Sequence, residues 1–479
     1  MRTVVSRLTD IQARLDALAR QHKVVGASLG VMSGDETVVF VHGLANKDTG
    51  LPVTEDTIFQ IGSNTKVFTA SLIMQLVDEG KVDLDAPARR YVPELRLGDM
   101  RAADRITVRQ LITHTSGIDA ADYFEDFGLG DDALEKFVAS LATFDFVYPP
   151  GDMWSYNNTA FALAGRVIEN VTGEPFRKAF HERLLDKLGM KLTTVRIEDM
   201  LKRNAAVGHV QPPGATEPVV TPRTILPVAT AAAGSLTAST PKEMFTFVRM
   251  HVNGGKGPDG KQVLSAASAK AMQQPQAKLP ASSLGEAMGL GWIIGNWDGE
   301  RVLGHGGGTV GQYSFLQVLP DRKFGVVLLT NAPGGGLLWR DLGKWIFEEL
   351  AGVKMPELPK PLETPPKVDL SKYAGSYRRL HMDTELKVKD GNLVGLVRYT
   401  GPLQGIGEPQ EFAMSPLDGE IFVTGGGEGV AEFMDFDAGG RPRFVHLGGR
   451  VSRRAAVVTA KKKASPARKT RTRSARSKL

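Results

Sequence analysis

Two side chains, at positions 63 and 66, have the types and the spacing needed for acyl-transfer chemistry. They lie in Gln60-Ile-Gly-Ser-Asn-Thr-Lys-Val-Phe68, a Ser-x-x-Lys pattern at the start of a segment with helical periodicity. Positions i and i+3 share one face of a helix, so the Lys66 amine can reach the Ser63 hydroxyl, and the helix N-terminus adds positive potential there. A lysine is a useful base when burial keeps it neutral. The pattern therefore predicts Ser63 as a nucleophile and Lys66 as its base.

The tetrapeptide alone is a weak signal, because average residue usage produces roughly one or two chance matches in a chain of 479 residues. A second match occurs at Ser239-Thr-Pro-Lys242. There, Thr240 followed by Pro241 and Glu243 is typical of a capping box at a helix N-terminus. We expect this second match to be structural. Ser63 could equally cap its own helix if no other catalytic element accompanied it.

Two other motifs fail on their context. Gly26-Ala-Ser28-Leu-Gly30 matches the nucleophile elbow Gly-x-Ser-x-Gly, but that motif needs a strand, a sharp turn and a helix, and here a strand pattern continues. Gly306-Gly-Gly-Thr-Val-Gly311 matches the dinucleotide fingerprint, which must open a helix. The residues after it, Gln312 to Val318, alternate as a strand does. Neither motif predicts a function.

Three further segments accompany Ser63 in a fixed order. The first is Ile106-Thr-Val-Arg-Gln-Leu-Ile-Thr-His-Thr-Ser-Gly117, the second is Pro149–Asn158 with Tyr-x-Asn at Tyr156 and Asn158, and the third is Gly304-His-Gly-Gly-Gly-Thr-Val-Gly311. Together with Ser-x-x-Lys they resemble the class C β-lactamases and the penicillin-recognising serine hydrolases over about residues 10–350.

The resemblance implies a role for each matching residue. Ser63 would attack a carbonyl carbon and form an acyl-enzyme, while Lys66 and Tyr156 would share the proton transfers. Asn158 would position Lys66 and the substrate amide. The backbone amides of Ser63 and Gly308 would form the oxyanion hole, where each donor typically supplies a few kcal/mol of transition-state stabilisation.

The third element departs from the usual Lys-Thr-Gly, because His305-Gly306-Gly307 stands in its place. His305 and Gly307 would still bind or position the substrate, but a histidine weakens the case for holding a penicillin carboxylate. It resembles the D-aminopeptidase and esterase branches of the superfamily. The expected activity is hydrolysis of D-amino-acid peptides or amides, or of small esters. The alternatives are β-lactamase or DD-peptidase activity, and a non-catalytic, penicillin-binding-like interaction protein.

Several of these residues also have ordinary structural interpretations. Tyr156 taken alone is more often a core tyrosine. His114, in Thr-His-Thr-Ser-Gly117, is expected to be a buried structural histidine rather than a base. His446-Leu-Gly448 shows that His-x-Gly also arises by chance. The order of the elements, rather than any single residue, carries the prediction.

The elements that position these residues are predicted from the patterns in residues 1–352, which indicate strands at both ends and helices between them. Apolar runs at 24–31 and 37–44 form a predicted hairpin, a helix runs from about Ser63 to Gly80, and a mostly helical stretch follows to about 250. Strand patterns return at 301–304, 312–319 and 324–330, before a helical pattern at 338–350. The fold class is α+β: a β-lactamase/transpeptidase-like domain with an antiparallel sheet flanked by helices and an all-α subdomain.

A Pro-rich segment separates this domain from a second one. Residues 353–368 include five prolines between 355 and 366 and are predicted to be a linker. Residues 369–457 hold short alternating segments punctuated by glycines, which predict a small antiparallel barrel or sandwich; we take it to be a lipocalin-like β-barrel. Residues 458–479 are predicted to be a disordered basic tail.

Composition limits the remaining possibilities. The chain has no cysteine, which excludes disulfides, thiolate metal sites and a cysteine nucleophile, and we expect no cofactor and no metal. The net charge of +6 comes from the tail, because residues 461–479 hold nine Lys or Arg and no acid. That tail could touch an anionic partner weakly, or only solubilise the chain. No apolar run of about 18 residues and no signal-like N-terminus is present, so a cytoplasmic protein is expected. Ser477-Lys-Leu479 matters as a peroxisomal address only in a host with peroxisomes.

Overall fold

Strands from both ends of the first 350 residues pair in one antiparallel sheet of nine strands, which lie side by side in the order 51–52, 36–46, 26–33, 324–330, 313–319, 300–308, 293–297, 287–288 and 277–278. The computed structural model describes residues 7–281, 284–401, 404, 408–425 and 429–456. The strands of this part of the chain are β1 Gly26–Ser33, β2 Glu36–Asn46, β3 Leu51–Pro52, β4 Phe59–Gln60, β5 His209–Val210, β6 Val219–Val220, β7 Ala238–Ser239, β8 Ala277–Lys278, β9 Ala287–Met288, β10 Ile293–Trp297, β11 Glu300–Gly308, β12 Tyr313–Leu319 and β13 Phe324–Thr330. β1 pairs with β2, as the hairpin prediction required.

Helices cover both faces of the sheet and form a separate helical region. Their bounds are α1 Leu8–Gln21, α2 Thr65–Asp78, α3 Met100–Ala103, α4 Val108–Ile112, α5 Ala133–Ser140, α6 Asn158–Thr172, α7 Phe176–Phe180, α8 Asp186–Leu188, α9 Ile197–Met200, α10 Pro241–Val252, α11 Ala266–Met272 and α12 Gly335–Ile346. Most of them lie between positions 65 and 272, where the sequence predicts the all-α subdomain. Among the described residues, no helix combines the length and the hydropathy that a bilayer crossing requires.

The core divides at the central strand β13. Val326 and Leu328 pack with residues of α1 and α12, whereas Val327 and Leu329 pack on the opposite side with residues of α2 and α10. Successive side chains of a strand point to opposite faces, so β13 is an uninterrupted apolar run because both of its faces are covered. The sheet is therefore the middle layer of the domain.

Helix α2 is buried along almost its whole length. A 3-10 turn at Gly62–Asn64 precedes it, and Gly80, with a φ of +68°, lies just beyond its end. The prediction of a helix from about Ser63 to Gly80 is confirmed. Ser63 does not cap α2, because its hydroxyl contacts Lys66 instead.

The second Ser-x-x-Lys match is structural, as expected, but the capping box is only half formed. The Thr240 side chain accepts a hydrogen bond from the Glu243 amide at the N-terminus of α10. The Glu243 carboxylate does not return this bond. It accepts instead from the amides of Leu192 and Thr193, at 2.8 and 2.6 Å, because those donors lie within reach.

The C-terminal domain is a closed antiparallel barrel of eight strands. They are β14 Gly375–Arg379, β15 Met382–Lys389, β16 Asn392–Tyr399, β17 Gln410–Asp418, β18 Ile421–Thr424, β19 Gly429–Phe436, β20 Pro442–Leu447 and β21 Arg450–Arg454. Tyr373, Tyr377, Phe422 and Phe433 fill its core. Residues 355–366 contain no helix or strand. The predicted basic tail and the terminal Ser-Lys-Leu lie outside the described residues.

Candidate active site

The turn Gly62–Asn64, which carries Ser63, lies directly against the end of β11, without side chains between them. A Cβ on Gly307 would lie 2.0 Å from the Ile61 carbonyl oxygen, and a Cβ on Gly62 would lie 2.6 Å from the Gly308 nitrogen. Only glycine permits backbones to approach so closely, and Gly62 also has a φ of +50°. The Gly308 amide is thereby held beside the residue that precedes Ser63.

Lys66 is completely buried and its amine has three polar neighbours. Its Nζ lies 3.0 Å from the Ser63 Oγ, 2.8 Å from the Asn158 Oδ1 and 2.7 Å from the Ala233 carbonyl oxygen. The first two contacts were predicted. The third was not, because nothing in the spacing of Ala233 distinguishes its carbonyl from its neighbours.

The Lys66 amine is held in a setting that favours its neutral form. Burial lowers the pKa of Lys66 well below 10.5, and the charge of Arg450 lowers it further, while Asp122 acts in the opposite direction. Within the described part of the chain, the amine has no carboxylate among its hydrogen-bond partners. The predicted neutral base is therefore consistent with the geometry.

Tyr156 lies at the centre of the site. The Lys66 Nζ is 4.8 Å from the centroid of its ring, the His114 ring is 4.2 Å away and the Arg450 guanidinium is 5.2 Å away. Its hydroxyl oxygen is buried. Burial raises the pKa of Tyr156 above its ordinary value. The neighbouring Ser63 hydroxyl and the charge of Arg450 lower this pKa, but by less than burial raises it. The phenol is therefore protonated at neutral pH.

His305 is buried and neutral. Burial lowers its pKa to about 3. Its Nδ1 lies 2.6 Å from the Gly306 carbonyl oxygen and donates to it, which leaves Nε2 without a proton. The ring centroid lies 6.1 Å from that of Tyr156. His305 therefore reaches the site but offers no positive charge for a carboxylate.

The barrel contributes backbone groups to the segment that carries Tyr156. The Tyr156 amide donates to the Gly449 carbonyl oxygen at 2.9 Å, and the Val451 amide donates to the Ser155 Oγ at 3.0 Å. The His446 ring lies 5.8 Å from that of Trp154. The turn between β20 and β21 is thus part of the candidate site, although the sequence places this region outside the resemblance.

A partly buried ionic cluster also joins the two domains. The Asp122 carboxylate pairs with Arg450 at 2.6 Å and with Arg379, which stand at the first position of β21 and the last position of β14. Next to it, the Leu380 amide donates to the Asp119 carboxylate at 2.8 Å. Sequence reasoning missed these residues because no local motif marks them.

A cleft of about 970 Å³ opens beside this interface. Trp154, Leu279 and Pro280 from the first domain and Ile421 and Met434 from the barrel are among its lining residues. The Trp154 ring centroid lies 6.5 Å from that of Tyr156. The cleft is therefore walled by both domains and reaches a ring that contacts Tyr156.

Comparison with known proteins shows the family of this chain. A sequence profile described as Beta-lactamase matches residues 11–351. The chain is 37% identical over 370 residues to penicillin-binding protein 4 of Amycolatopsis lactamdurans, across 77% of this chain and 97% of that protein.

Solved structures extend the likeness to the barrel. The crystal structure of SurE matches with a TM-score of 0.75 and 26% identity, covering 95% of this chain and all of that chain; a further SurE structure, with D-Leu, has a TM-score of 0.72. D-amino acid amidase from Ochrobactrum anthropi SV3, complexed with D-phenylalanine, matches with a TM-score of 0.60 and 25% identity over 72% of this chain and 99% of that one. The chain belongs to the Beta-lactamase family, within the superfamily of β-lactamase-related hydrolases and penicillin-binding proteins.

Proposed function

We propose that the protein is a serine hydrolase that forms an acyl-enzyme on Ser63 and cleaves amide or ester bonds. The observation that carries the proposal is the position of the Nζ of the fully buried Lys66, 3.0 Å from the Ser63 Oγ. A base within hydrogen-bond reach of a hydroxyl is the first requirement for its activation.

The three neighbours of Lys66 define the direction of the proton transfer. A neutral amine has two N–H donors and one lone pair. The carbonyl oxygens of Asn158 and Ala233 can only accept, so they take the two N–H groups. The lone pair is then left for the Ser63 hydroxyl, which donates its proton to Nζ as the Oγ attacks the substrate carbonyl carbon.

Tyr156 and two backbone amides complete the proposed cycle. The protonated phenol beside Ser63 donates to the leaving nitrogen or oxygen and recovers its proton from the Lys66 ammonium. The amides of Ser63 and Gly308 bind the tetrahedral oxyanion. Water then attacks the acyl-enzyme by the reverse transfers and releases the acid.

The preferred substrates in this proposal are D-amino-acid amides, short D-amino-acid peptides and small esters. Support comes from the likeness to a D-amino acid amidase and to SurE, which has been solved with D-Leu. The neutral His305 argues against a site built for a penicillin carboxylate.

The second candidate is a β-lactamase or DD-peptidase activity. It is favoured by the 37% identity to a penicillin-binding protein over most of both chains. A non-catalytic interaction protein is a third, weaker candidate, because the contacts of Ser63, Lys66 and Asn158 would then serve no purpose.

Turnover on matched substrates tests the proposal. We expect the wild-type chain to hydrolyse D-amino-acid p-nitroanilides faster than their L-enantiomers, and p-nitrophenyl esters faster still because the leaving group is better. Ser63→Ala should abolish all of these activities. Acylation by a fluorescent penicillin with no amide or ester turnover would favour the second candidate, and no reaction with any substrate would favour the third.

A further inference from the structure

The segment 114–121 begins within the first of the three accompanying segments and forms several hydrogen bonds with residues 147–158. Carbonyl groups of residues 114–121 accept hydrogen bonds from residues 147–158; these pairs are His114 with the Ser155 amide, Thr115 with the Gly151 amide, Gly117 with the Val147 amide, Ile118 with the Asn157 Nδ2 and Ala121 with the Asn158 amide. The segment 114–121 thus holds the backbone of the loop that carries Tyr156 and Asn158.

Within the segment 114–121, the ring of His114 contacts the ring of Tyr156. Its Nδ1 accepts a hydrogen bond from the Asn157 amide at 2.9 Å, and Asn157 lies between the two functional residues. The His114 ring lies 4.2 Å from the Tyr156 ring, at an interplanar angle of 33°, and 4.9 Å from the Phe161 ring. One imidazole therefore holds both the backbone and the ring of the Tyr156 segment.

The conformation and protonation of His114 suit this role. The residue is completely buried and has a φ of +60°, a left-handed conformation in which histidine is enriched relative to most side chains. Because Nδ1 accepts a bond, a neutral ring carries its proton on Nε2, and that atom has no hydrogen-bond partner among the described residues. Burial lowers the pKa of His114 well below 6.5, and the charge of Arg450 lowers it further.

We infer that His114 is a positioning residue for the acylation of Ser63. It accepts the Asn157 amide and packs on the Tyr156 ring, and so fixes Tyr156 and Asn158 relative to Ser63 and Lys66. It neither touches the nucleophile nor exchanges protons in the reaction. This inference rests on the proposed function, since it concerns the same site.

The test compares the rates at which a fluorophosphonate probe phosphonylates Ser63 in three variants, each corrected for the folded fraction. His114→Phe keeps a ring but removes the acceptor, and it should lower the rate constant by about 10- to 100-fold, because small displacements of catalytic groups have effects of that size. His114→Asn keeps an acceptor and tolerates a positive φ, so it should recover most of the rate. The matched control is His251→Phe, which removes another buried neutral histidine, bonded to Ser71; it should lower stability but not the rate.

A wild-type rate in folded His114→Phe would overturn the inference, and so would equal losses of rate in the His114 and His251 variants. An unlabelled wild-type protein would instead mean that the proposed function has failed. Nitrogen-15 NMR of the histidines in the wild-type chain gives a readout that needs no activity. A His114 variant is needed only to assign the resonances. We expect the His114 Nδ1 to be unprotonated and Nε2 protonated from pH 8 to pH 5.5; an Nδ1-protonated or titrating ring would overturn the inference.

Discussion

The Asn158 Oδ1 lies 2.8 Å from the Lys66 Nζ and joins the first residue of α6 to the first turn of α2. Because Asn158 can only accept through that oxygen, it consumes one N–H of the amine and helps to turn the remaining lone pair toward Ser63. The acylation chemistry proposed above depends on this orientation.

Replacement of Lys66 tests its role as the base. Lys66→Met should lower the rate of Ser63 acylation by about 10²- to 10⁴-fold, the usual contribution of general-base catalysis. The measurement is the second-order rate constant for fluorophosphonate labelling. Lys242→Met is the matched control, because Lys242 belongs to the second Ser-x-x-Lys match and pairs with Glu55 on the surface; its rate should not change.

The pH dependence of acylation should reflect the neutral amine. A base with a lowered pKa loses its lone pair only when the pH falls through that pKa, so the rate should rise with pH and reach its plateau well below pH 10.5. Arg450→Met removes a charge that lowers the pKa of Lys66, and the rising limb should therefore move to higher pH. Arg443→Met, which breaks an exposed ion pair with Asp435, is the control and should leave the profile in place. An unshifted limb in Arg450→Met would contradict this account.

Two adjacent glycines of β11 should respond very differently to alanine. A Cβ on Gly307 would meet the Ile61 carbonyl oxygen at 2.0 Å, whereas the nearest atom to a Cβ on Gly306 lies at 3.9 Å. We expect Gly307→Ala to destabilise the fold by about 1–3 kcal/mol and to slow acylation, since overpacking displaces the turn Gly62–Asn64 that carries Ser63. Gly306→Ala should retain nearly wild-type behaviour. Thermal unfolding and probe labelling of both variants check this, and equal effects would mean that the two backbones are less close than described.

Buried neutral histidines should make the fold sensitive to mild acid. Burial lowers the pKa of His251 and His305 to about 3 and that of His446 to about 4. Below pH 6.5 the unfolded chain binds protons that the folded chain does not, so each such histidine lowers the free energy of unfolding by about 1.4 kcal/mol per pH unit. Urea unfolding at pH 7.5 and 5.5 should show this loss, and His251→Gln should reduce the difference by about that amount.

Local patterns were sufficient to find the elements of the site that lie within short segments. The Ser63–Lys66 spacing predicted their contact, because one helical turn fixes it, and the family resemblance implied that Asn158 meets Lys66. The hairpin, helix α2 and a small antiparallel barrel or sandwich were also predicted from periodicity and turn residues, and the structure shows a barrel of eight strands.

Contacts made by turns of the second domain could not be found in this way. Arg450 follows Gly448 and Gly449 in a hairpin that resembles any other glycine-rich turn, and its pairing with Asp122 depends on how the two domains pack. The sequence likewise gives no sign that the Ala233 carbonyl belongs to the site, since every residue has a carbonyl group. Tertiary packing, rather than residue type, assigns these groups to the site.

Mapping of a covalent adduct tests the central claim most directly. Incubation with a fluorophosphonate, followed by intact-mass and peptide analysis, should show one adduct per chain on the peptide that contains Ser63. Ser63→Ala should prevent the adduct while the chain stays folded, and Ser28→Ala should leave it unchanged, since Ser28 is buried within β1. An adduct on another residue, or none on a folded wild-type chain, would contradict the assignment of Ser63 as the nucleophile.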